Sequence, residues 1–497
     1  MNPKQRNGMW LALPLLLIGA MVTSAAPAPE VADAVRTRNA SALQSLLKQR
    51  ADVNAAQPDG TTALHWAAHW NDAETVNLLL RAGANAKAVN RYGATPLSEA
   101  VSAGSPAMIQ SLLNAGADPK TLTTEDGETV LMTAARSGNI DVVRILLDRG
   151  ADVNAKESYK GQTALMWAAA ERHPDVVKLL LDRGADWKMR SSDRETRLPR
   201  LSAASSVTPM ARGGFPALLY AAREGVTETA QVMVDGGVDL NYGDVDGTTA
   251  LTVSILNKQY SFAKFLLDHN ADPNIVDASG RTALYAIVEA RNEDWTTLPE
   301  RKTTDALPRL GIVKLLLAHK ANPDTALNKR LPGKSGMDSG DTTLGAGATP
   351  LMRAARSGDA PAMRLLLAAG ADPKLATRDG TNALMLAAGV GYRDKNTKGT
   401  ESEALEALKV ALAAGLDLHE ANTKGENAMH GAATRGADTI VQFLVDSGAR
   451  LNVKTKQGFT ALDIAMGKNS IAQLPVPKDS TVALLRKLGA LEGKDVN

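Results

Sequence analysis

The 497-residue sequence contains no cysteine, and this absence removes several kinds of chemistry. A chain without thiols cannot form a disulfide framework, a thiolate zinc site, an iron–sulfur cluster or a cysteine nucleophile. Aromatic residues make up only 4% of the chain, and neither sign of charge dominates, since 56 Lys and Arg face 54 Asp and Glu. The net charge of +2 is too small for the strong basic field that a nucleic-acid binder needs. We therefore expect no nucleic-acid partner.

Long apolar runs are also scarce. The apolar run at residues 9–22 follows Lys4 and Arg6, and the small residues that a signal peptidase reads come directly after it, ending at Ala25 and Ala26. A membrane anchor is the competing interpretation, but the run falls short of the roughly 20 residues that span a bilayer. The pattern predicts a secretory signal peptide at residues 1–26. We expect a mature chain without a membrane span.

What the sequence has in abundance is an internal repeat. Turn glycines recur along the chain, and seven of the ten spacings between them are 33 or 34 residues: Gly60, Gly93, Gly127, Gly161, Gly214, Gly247, Gly280, Gly347, Gly380, Gly425 and Gly458. Behind each glycine the sequence predicts a short helix, such as residues 129–135, whose leading threonine is a natural N-cap. A second helix follows, such as residues 141–147, and stops at a glycine such as Gly150. One helix pair cannot bury its apolar face alone, but stacked pairs can.

The repeat resembles the ankyrin repeat, whose marks here are Thr-Ala-Leu-His at residues 62–65, Gly-Ala-Asp-Val-Asn at residues 150–154 and a recurring Leu-Leu-x-x-Gly-Ala-Asp. The resemblance covers about residues 30–492 and implies an all-α repeat fold, an ankyrin α-solenoid of paired antiparallel helices with hairpin-like turns between repeats. The family's histidine after Thr-x-Leu is kept only as His65 and His430, so its hydrogen bonds between repeats are in question for the other units.

Twelve units are predicted. The expected boundaries are an N-terminal helical cap at 27–57, repeats at 58–190, 214–327 and 347–457, and a C-terminal cap repeat and tail at 458–497. Polar, turn-rich insertions are expected at 191–213, 292–310, 328–346 and 391–403, with a shorter one at 469–479; the insertion at 328–346 is rich in glycine. These insertions are either recognition elements on a rigid scaffold or tolerated loop growth.

Candidate chemical motifs fail on inspection. Residues 331–335 resemble the end of a phosphate-binding loop, but Asn328 stands where that loop needs glycine. Residues 244–247 resemble a calcium loop whose first and last ligands are missing. His65 and His69 lie one helical turn apart without a third metal ligand nearby, which favours a structural role. No Gly-x-Ser-x-Gly nucleophile motif occurs. We expect no enzyme activity, no cofactor and no metal site.

The resemblance to ankyrin proteins implies a protein partner on the concave face, at the two positions that follow the paired alanines of each first helix. The predicted partner-binding residues are His69, Trp70, Arg136, Arg223, Arg356 and Arg435. Trp70 is either an exposed interaction anchor or a side chain that folds back onto the N-terminal cap. The arginines would present positive charge to an acidic protein, although Glu171, Glu224 and Glu289 interrupt the row.

These observations favour a non-enzymatic, monomeric interaction scaffold that is exported to a bacterial periplasm or to the extracellular space. The bacterial assignment rests on a signal peptide joined to a repeat family that eukaryotes mostly keep inside the cell. One alternative is a secreted effector that acts on another organism's proteins. A third is an enzyme whose site lies in the insertions.

Overall fold

A computed structural model describes residues 30–193, 213–292, 305, 307–331, 344–392, 399–468 and 477–496. The predicted signal peptide and much of each predicted insertion lie outside the described residues.

The described residues form 24 α-helices in twelve consecutive pairs, with two isolated β-bridges and no longer strand among them. The first six pairs are α1 Glu30–Arg36 and α2 Ala40–Lys48, α3 Ala63–His69 and α4 Ala73–Arg81, α5 Pro96–Ala103 and α6 Pro106–Asn114, α7 Val130–Ser137 and α8 Ile140–Asp148, α9 Ala164–Ala170 and α10 Pro174–Asp182, and α11 Ala217–Glu224 and α12 Thr227–Asp235.

The remaining pairs are α13 Ala250–Leu256 and α14 Tyr260–Asp268, α15 Ala283–Arg291 and α16 Arg309–Ala318, α17 Pro350–Arg356 and α18 Ala360–Ala368, α19 Ala383–Ala388 and α20 Glu401–Ala413, α21 Ala428–Arg435 and α22 Asp438–Asp446, and α23 Ala461–Ala465 and α24 Asp479–Lys487. A single 3₁₀ turn at Gly493–Asp495 follows. The prediction of an all-α solenoid is confirmed.

The ends of the helices follow from residue chemistry. Thr129 precedes α7, and its hydroxyl accepts a hydrogen bond from the Met132 N–H at 3.2 Å, which satisfies one of the unpaired donors of the first turn. Gly138 ends α7 with φ at 73°, a left-handed conformation that glycine adopts without steric cost. The threonine and glycine positions of the repeat therefore fix where its first helix begins and ends.

The helix pairs stack into two layers. Each first helix contacts the first helices of the neighbouring pairs, and the second helices from α4 to α24 do the same. Paired alanines such as Ala134 and Ala135 are fully buried and let adjacent first helices approach closely. The stacking continues across three of the predicted insertions, since α9 contacts α11 and α15 contacts α17. Within the described residues, no helix combines the length and the apolar character that crossing a membrane requires.

Asparagine side chains join several successive turns. The Asn154 amide donates to the Gly184 carbonyl at 3.3 Å, and its oxygen accepts from the Asp186 N–H at 2.8 Å. Asn54 and Asn274 make the same pair of bonds to the turns that follow them. We call this set of contacts the asparagine ladder. At the corresponding positions, Lys87 and Lys120 cannot reproduce it, because an ammonium group has no acceptor.

Candidate protein-binding surface

Trp70 lies at the end of α3 in a cluster of aromatic and cationic side chains. Its ring stacks on Trp66 with 6.0 Å between ring centroids and meets His69 edge-on at 4.8 Å. The Arg38 guanidinium, from the turn between α1 and α2, lies 4.3 Å from the Trp70 ring centroid. Trp70 remains 37% exposed. The side chain therefore contacts the N-terminal pair, as one of the two interpretations expects, and still presents apolar surface to solvent; its role as an interaction anchor stays a prediction.

Polar contacts fix this cluster to its neighbours. His69 Nδ1 lies 2.9 Å from Glu99 Oε2 on α5, and both side chains are at least partly exposed. The Trp66 Nε1–H donates to Gln57 Oε1 at 2.9 Å. These bonds hold the rings of Trp66 and His69 in fixed orientations.

Arg136 and Arg223 extend the same chemistry along the first helices. Arg136 pairs with Glu128 at 3.2 Å, and its guanidinium lies 5.2 Å from the Trp167 ring centroid. Arg223 pairs with Glu224 and lies 5.1 Å from the ring of Tyr220. Both arginine side chains keep part of their surface in solvent. We refer to His69, Trp70, Arg136 and Arg223 as the aromatic–arginine surface.

Arg356 and Arg435 do not extend this surface. They are only 3% and 9% exposed, so the prediction of exposed arginines is wrong at these two positions. Arg435 donates to the carbonyls of Gly399 and Thr400 at 2.7 and 3.0 Å, and its guanidinium lies 4.6 Å from the Tyr392 ring. It therefore holds the two described ends of the insertion at 391–403. Arg356 is covered by the packing around α17.

A buried polar junction, which the sequence did not reveal, joins α15 to α18. Asp359 caps α18 and accepts two hydrogen bonds from Arg291, at 2.8 and 2.9 Å, and one from Asn292 at 3.0 Å. Burial by itself would raise the pKa of the Asp359 carboxyl, but the hydrogen bonds from Arg291 and Asn292 outweigh it and hold the pKa below its usual range. Arg353 donates to the Asn292 carbonyl and completes the junction. The only signal in the sequence is an arginine at the end of α15.

His65, one of the two histidines considered as metal ligands, has a structural role. His65 is 2% exposed; its Nδ1 accepts from the Thr62 N–H at 3.1 Å and its Nε2 lies 3.0 Å from the Ala94 carbonyl of the next turn. Burial lowers the pKa of His65 and keeps the ring neutral. His69 engages Glu99 instead, so the two histidines do not converge. Across the described ranges, no group of three or more His, Asp or Glu side chains is arranged to hold a metal ion.

Of the two other candidate motifs, the structure describes the one at residues 244–247, where Asp244 serves its own turn. The Asp244 carboxylate accepts from the N–H groups of Asp246 and Thr248 inside its own turn, and burial raises its pKa despite those bonds. Most of the segment that resembles a phosphate-binding loop, from residue 332 onward, lies outside the described residues.

A family model described as ankyrin repeats (three copies) matches residues 31–123, 100–191, 202–277, 305–395 and 399–476, which together make up most of the chain. The chain belongs to the ankyrin repeat family. Ankyrin repeats form a protein-interaction scaffold, and their fold is typically a non-enzymatic interaction module.

Named relatives share parts of this ankyrin chain. The putative ankyrin repeat protein YahD of Escherichia coli (strain K12) is 29% identical over 185 residues, which cover 35% of this chain and 90% of that protein. Serine/threonine-protein kinase 12 of Arabidopsis thaliana is 34% identical over 77 residues, 16% of this chain and 17% of the kinase. Among solved structures, the human ASB11 ankyrin repeat domain aligns with a TM-score of 0.40 and 24% identity, over 49% of this chain and 98% of that one.

The turns between ankyrin repeats carry exposed apolar side chains. These residues are between 43% and 64% exposed: Val89, Tyr92, Leu122, Tyr159, Val245 and Val276. All lie between a second helix and the following first helix, in the part of the chain before α15. The helical repeat pattern gave no indication of these turn residues. The detectable signal was a large apolar residue at a turn position where a polar one would suffice.

Proposed function

We propose that this ankyrin chain is an exported, monomeric and non-catalytic scaffold that binds a partner protein through its aromatic–arginine surface, on the concave face formed by the first helices. Export rests on the signal-peptide pattern of residues 1–26. Non-catalytic action is supported by the character of the family and by the structural roles of His65 and Asp244.

The observation that carries the proposal is the state of Trp70. Its ring is held by Trp66, His69 and Arg38 and is still more than a third exposed. Rigid, partly exposed tryptophans close to arginines are the side chains that most often dominate the energy of protein interfaces. Arg136 and Arg223 extend this surface with guanidinium groups that lie beside the rings of Trp167 and Tyr220.

The test is chemical cross-linking of the tagged protein in its native compartment. A Trp70→Ala, Arg136→Glu double variant is expected to lose the main cross-linked partner. The matched control is Tyr159→Ala, Lys160→Glu, which removes an exposed aromatic ring and reverses an adjacent cation on a turn outside the aromatic–arginine surface. If the parent chain and the Trp70 variant cross-link to the same partners, the proposed binding surface is refuted.

The alternative role, a secreted effector, differs in where the mature protein accumulates. A scaffold of the periplasm is recovered from periplasmic fractions, and an effector from the culture medium. Retention of residues 1–26 in the isolated protein would contradict export by either route. An enzyme with its site in the insertions predicts an activity that deletion of residues 194–212 and 332–343 abolishes while the helical circular dichroism stays unchanged.

A further inference from the structure

Two neighbouring turns line a cavity of about 420 Å³ that is open to solvent. One turn joins α4 to α5 and contributes Lys87 and Val89, and the other joins α6 to α7 and contributes Lys120 and Leu122. Val89 is 60% exposed and Leu122 is 49% exposed. The volume lies at the lower end of the range of roughly 300–1,000 Å³ that is typical of ligand pockets.

The asparagine ladder is missing at the cavity, as it is where Lys188 and Lys374 occupy the same turn position. Asn54, Asn154 and Asn274 each bridge to the next turn through both an amide N–H and an amide oxygen. Lys87 and Lys120 occupy the same position in two consecutive turns, and an ammonium group cannot accept the backbone N–H of the turn that follows.

The charge of the cavity is unbalanced. Within the described part of the chain, neither the Lys87 nor the Lys120 ammonium lies in an ion pair. Asp118 also lines the cavity, but its carboxylate accepts a hydrogen bond from the Lys120 N–H at 2.9 Å and serves its own turn. Two cations therefore face one carboxylate, beside two exposed apolar side chains.

The same short pattern creates both walls. Lys87-Ala88-Val89 and Lys120-Thr121-Leu122 each place an apolar residue two positions after the lysine. Other turns with a lysine at this position lack a large apolar side chain two positions later, since Arg190 follows Lys188 and the small Ala376 follows Lys374. The combination thus occurs in two adjacent turns, and these two form the cavity.

We propose that this cavity, the Lys87–Leu122 pocket, binds an acidic segment of a partner protein: one apolar side chain enters between Val89 and Leu122, and flanking carboxylates meet Lys87 and Lys120. The inference rests on the proposed function only in that the chain binds proteins, and it names a second surface. Charge complementarity selects the acidic segment, and the apolar walls select the central side chain.

The test uses the full purified chain and a fluorescein-labelled synthetic peptide with a central leucine between two pairs of glutamates. Fluorescence anisotropy is expected to show saturable binding that weakens as the salt concentration rises from about 50 to about 500 mM. A Lys87→Glu, Lys120→Glu variant is expected to bind at least about tenfold more weakly, and Leu122→Ser about fivefold more weakly. The matched control Lys374→Glu reverses a charge at the same turn position elsewhere and is expected to change affinity less than about twofold.

Three results would overturn the pocket. They are the absence of saturable binding up to about 1 mM peptide, equal binding of a peptide with lysines in place of its glutamates, and equal affinity of the parent chain and the double lysine variant. Circular dichroism checks that each variant is folded. The Trp70→Ala, Arg136→Glu variant separates the two proposals, because it leaves the peptide affinity unchanged if the pocket exists, whether or not cross-linking to the partner depends on Trp70.

Discussion

Removing the carboxylate of Asp359 is expected to destabilise the middle of the solenoid far more than removing an ordinary helix cap. The side chains of Asp359 and Arg291 are 5% and 20% exposed, and two short hydrogen bonds join them. Asp359→Ala leaves the guanidinium largely buried without its partner, which costs about 3–5 kcal/mol when a buried pair is broken from one side. The lost N-cap of α18 contributes about 1 kcal/mol, and because the two effects overlap we expect a total near 4 kcal/mol.

Asp72 provides the matched control. It occupies the same cap position before α4, accepts a hydrogen bond from the Thr75 N–H at 3.0 Å and lies in solvent without a buried cation. Asp72→Ala is expected to cost about 1 kcal/mol. The difference between the two substitutions measures what the buried pair adds to the cap.

Native-state hydrogen exchange suits this comparison, because it reports the local free energy of opening and does not require the whole solenoid to unfold in one step. Amides of α17 and α18 should lose protection in Asp359→Ala, and those of α4 in Asp72→Ala. A second variant, Arg291→Met with Asp359→Ala, should recover much of the loss because no buried charge remains. Equal losses for Asp359→Ala and Asp72→Ala, or no recovery in the double variant, would refute the reasoning.

Three further predictions concern single contacts. Arg435→Met removes the donor to the Gly399 carbonyl, and we expect limited proteolysis to cut at residues 391–403 several-fold faster than in the parent chain. An unchanged rate would show that Arg435 does not hold the ends of this insertion. Asn154→Ala breaks one step of the asparagine ladder and is expected to lower the local free energy of opening near Gly184 by about 1 kcal/mol, again measured by hydrogen exchange. Burial lowers the pKa of His430, so the unfolded chain takes up a proton more readily than the folded chain, and stability falls as the pH drops below about 6.5. Urea titrations of His430→Gln should therefore show a free energy of unfolding that changes less between about pH 7 and pH 5 than in the parent chain. An equal slope for the two proteins would contradict this account.

The fold was predictable because each repeat contains the same few residues that begin, end and pack its helices. A threonine caps most first helices, a left-handed glycine ends several of them, and paired alanines allow close stacking, as Thr129, Gly138 and Ala134 illustrate. The two units that keep the family's histidine also keep its bond to the next turn, since His430 Nε2 lies 3.1 Å from the Val453 carbonyl. Repetition turned weak local preferences into a firm prediction.

The candidate site was less predictable because exposure depends on neighbours that the repeat does not specify. Arg136 and Arg356 occupy the same position and are each followed by serine, yet one is exposed and the other buried. Arg435 became a clamp because the ends of an insertion pack against it. A residue's position within the repeat was therefore enough to place its backbone and too little to place its side chain. Partner binding by the exposed residues remains a prediction.

The uninterrupted contact of α15 with α17 has a consequence for how this chain can change length. Gly280 and Gly347 are 67 residues apart, about twice the spacing of an uninterrupted unit. Closure entropy grows only with the logarithm of loop length, so each doubling of a flexible loop costs about 0.6 kcal/mol, whereas removing one partner of the buried pair at Asp359 costs about 3–5 kcal/mol. The loops between helices can therefore lengthen at little cost in stability, whereas substitutions on the packed faces of the helices are poorly tolerated. New sequence can therefore be inserted between two helices at a small entropic cost, provided that both ends of the insertion return to the same helix–helix junction.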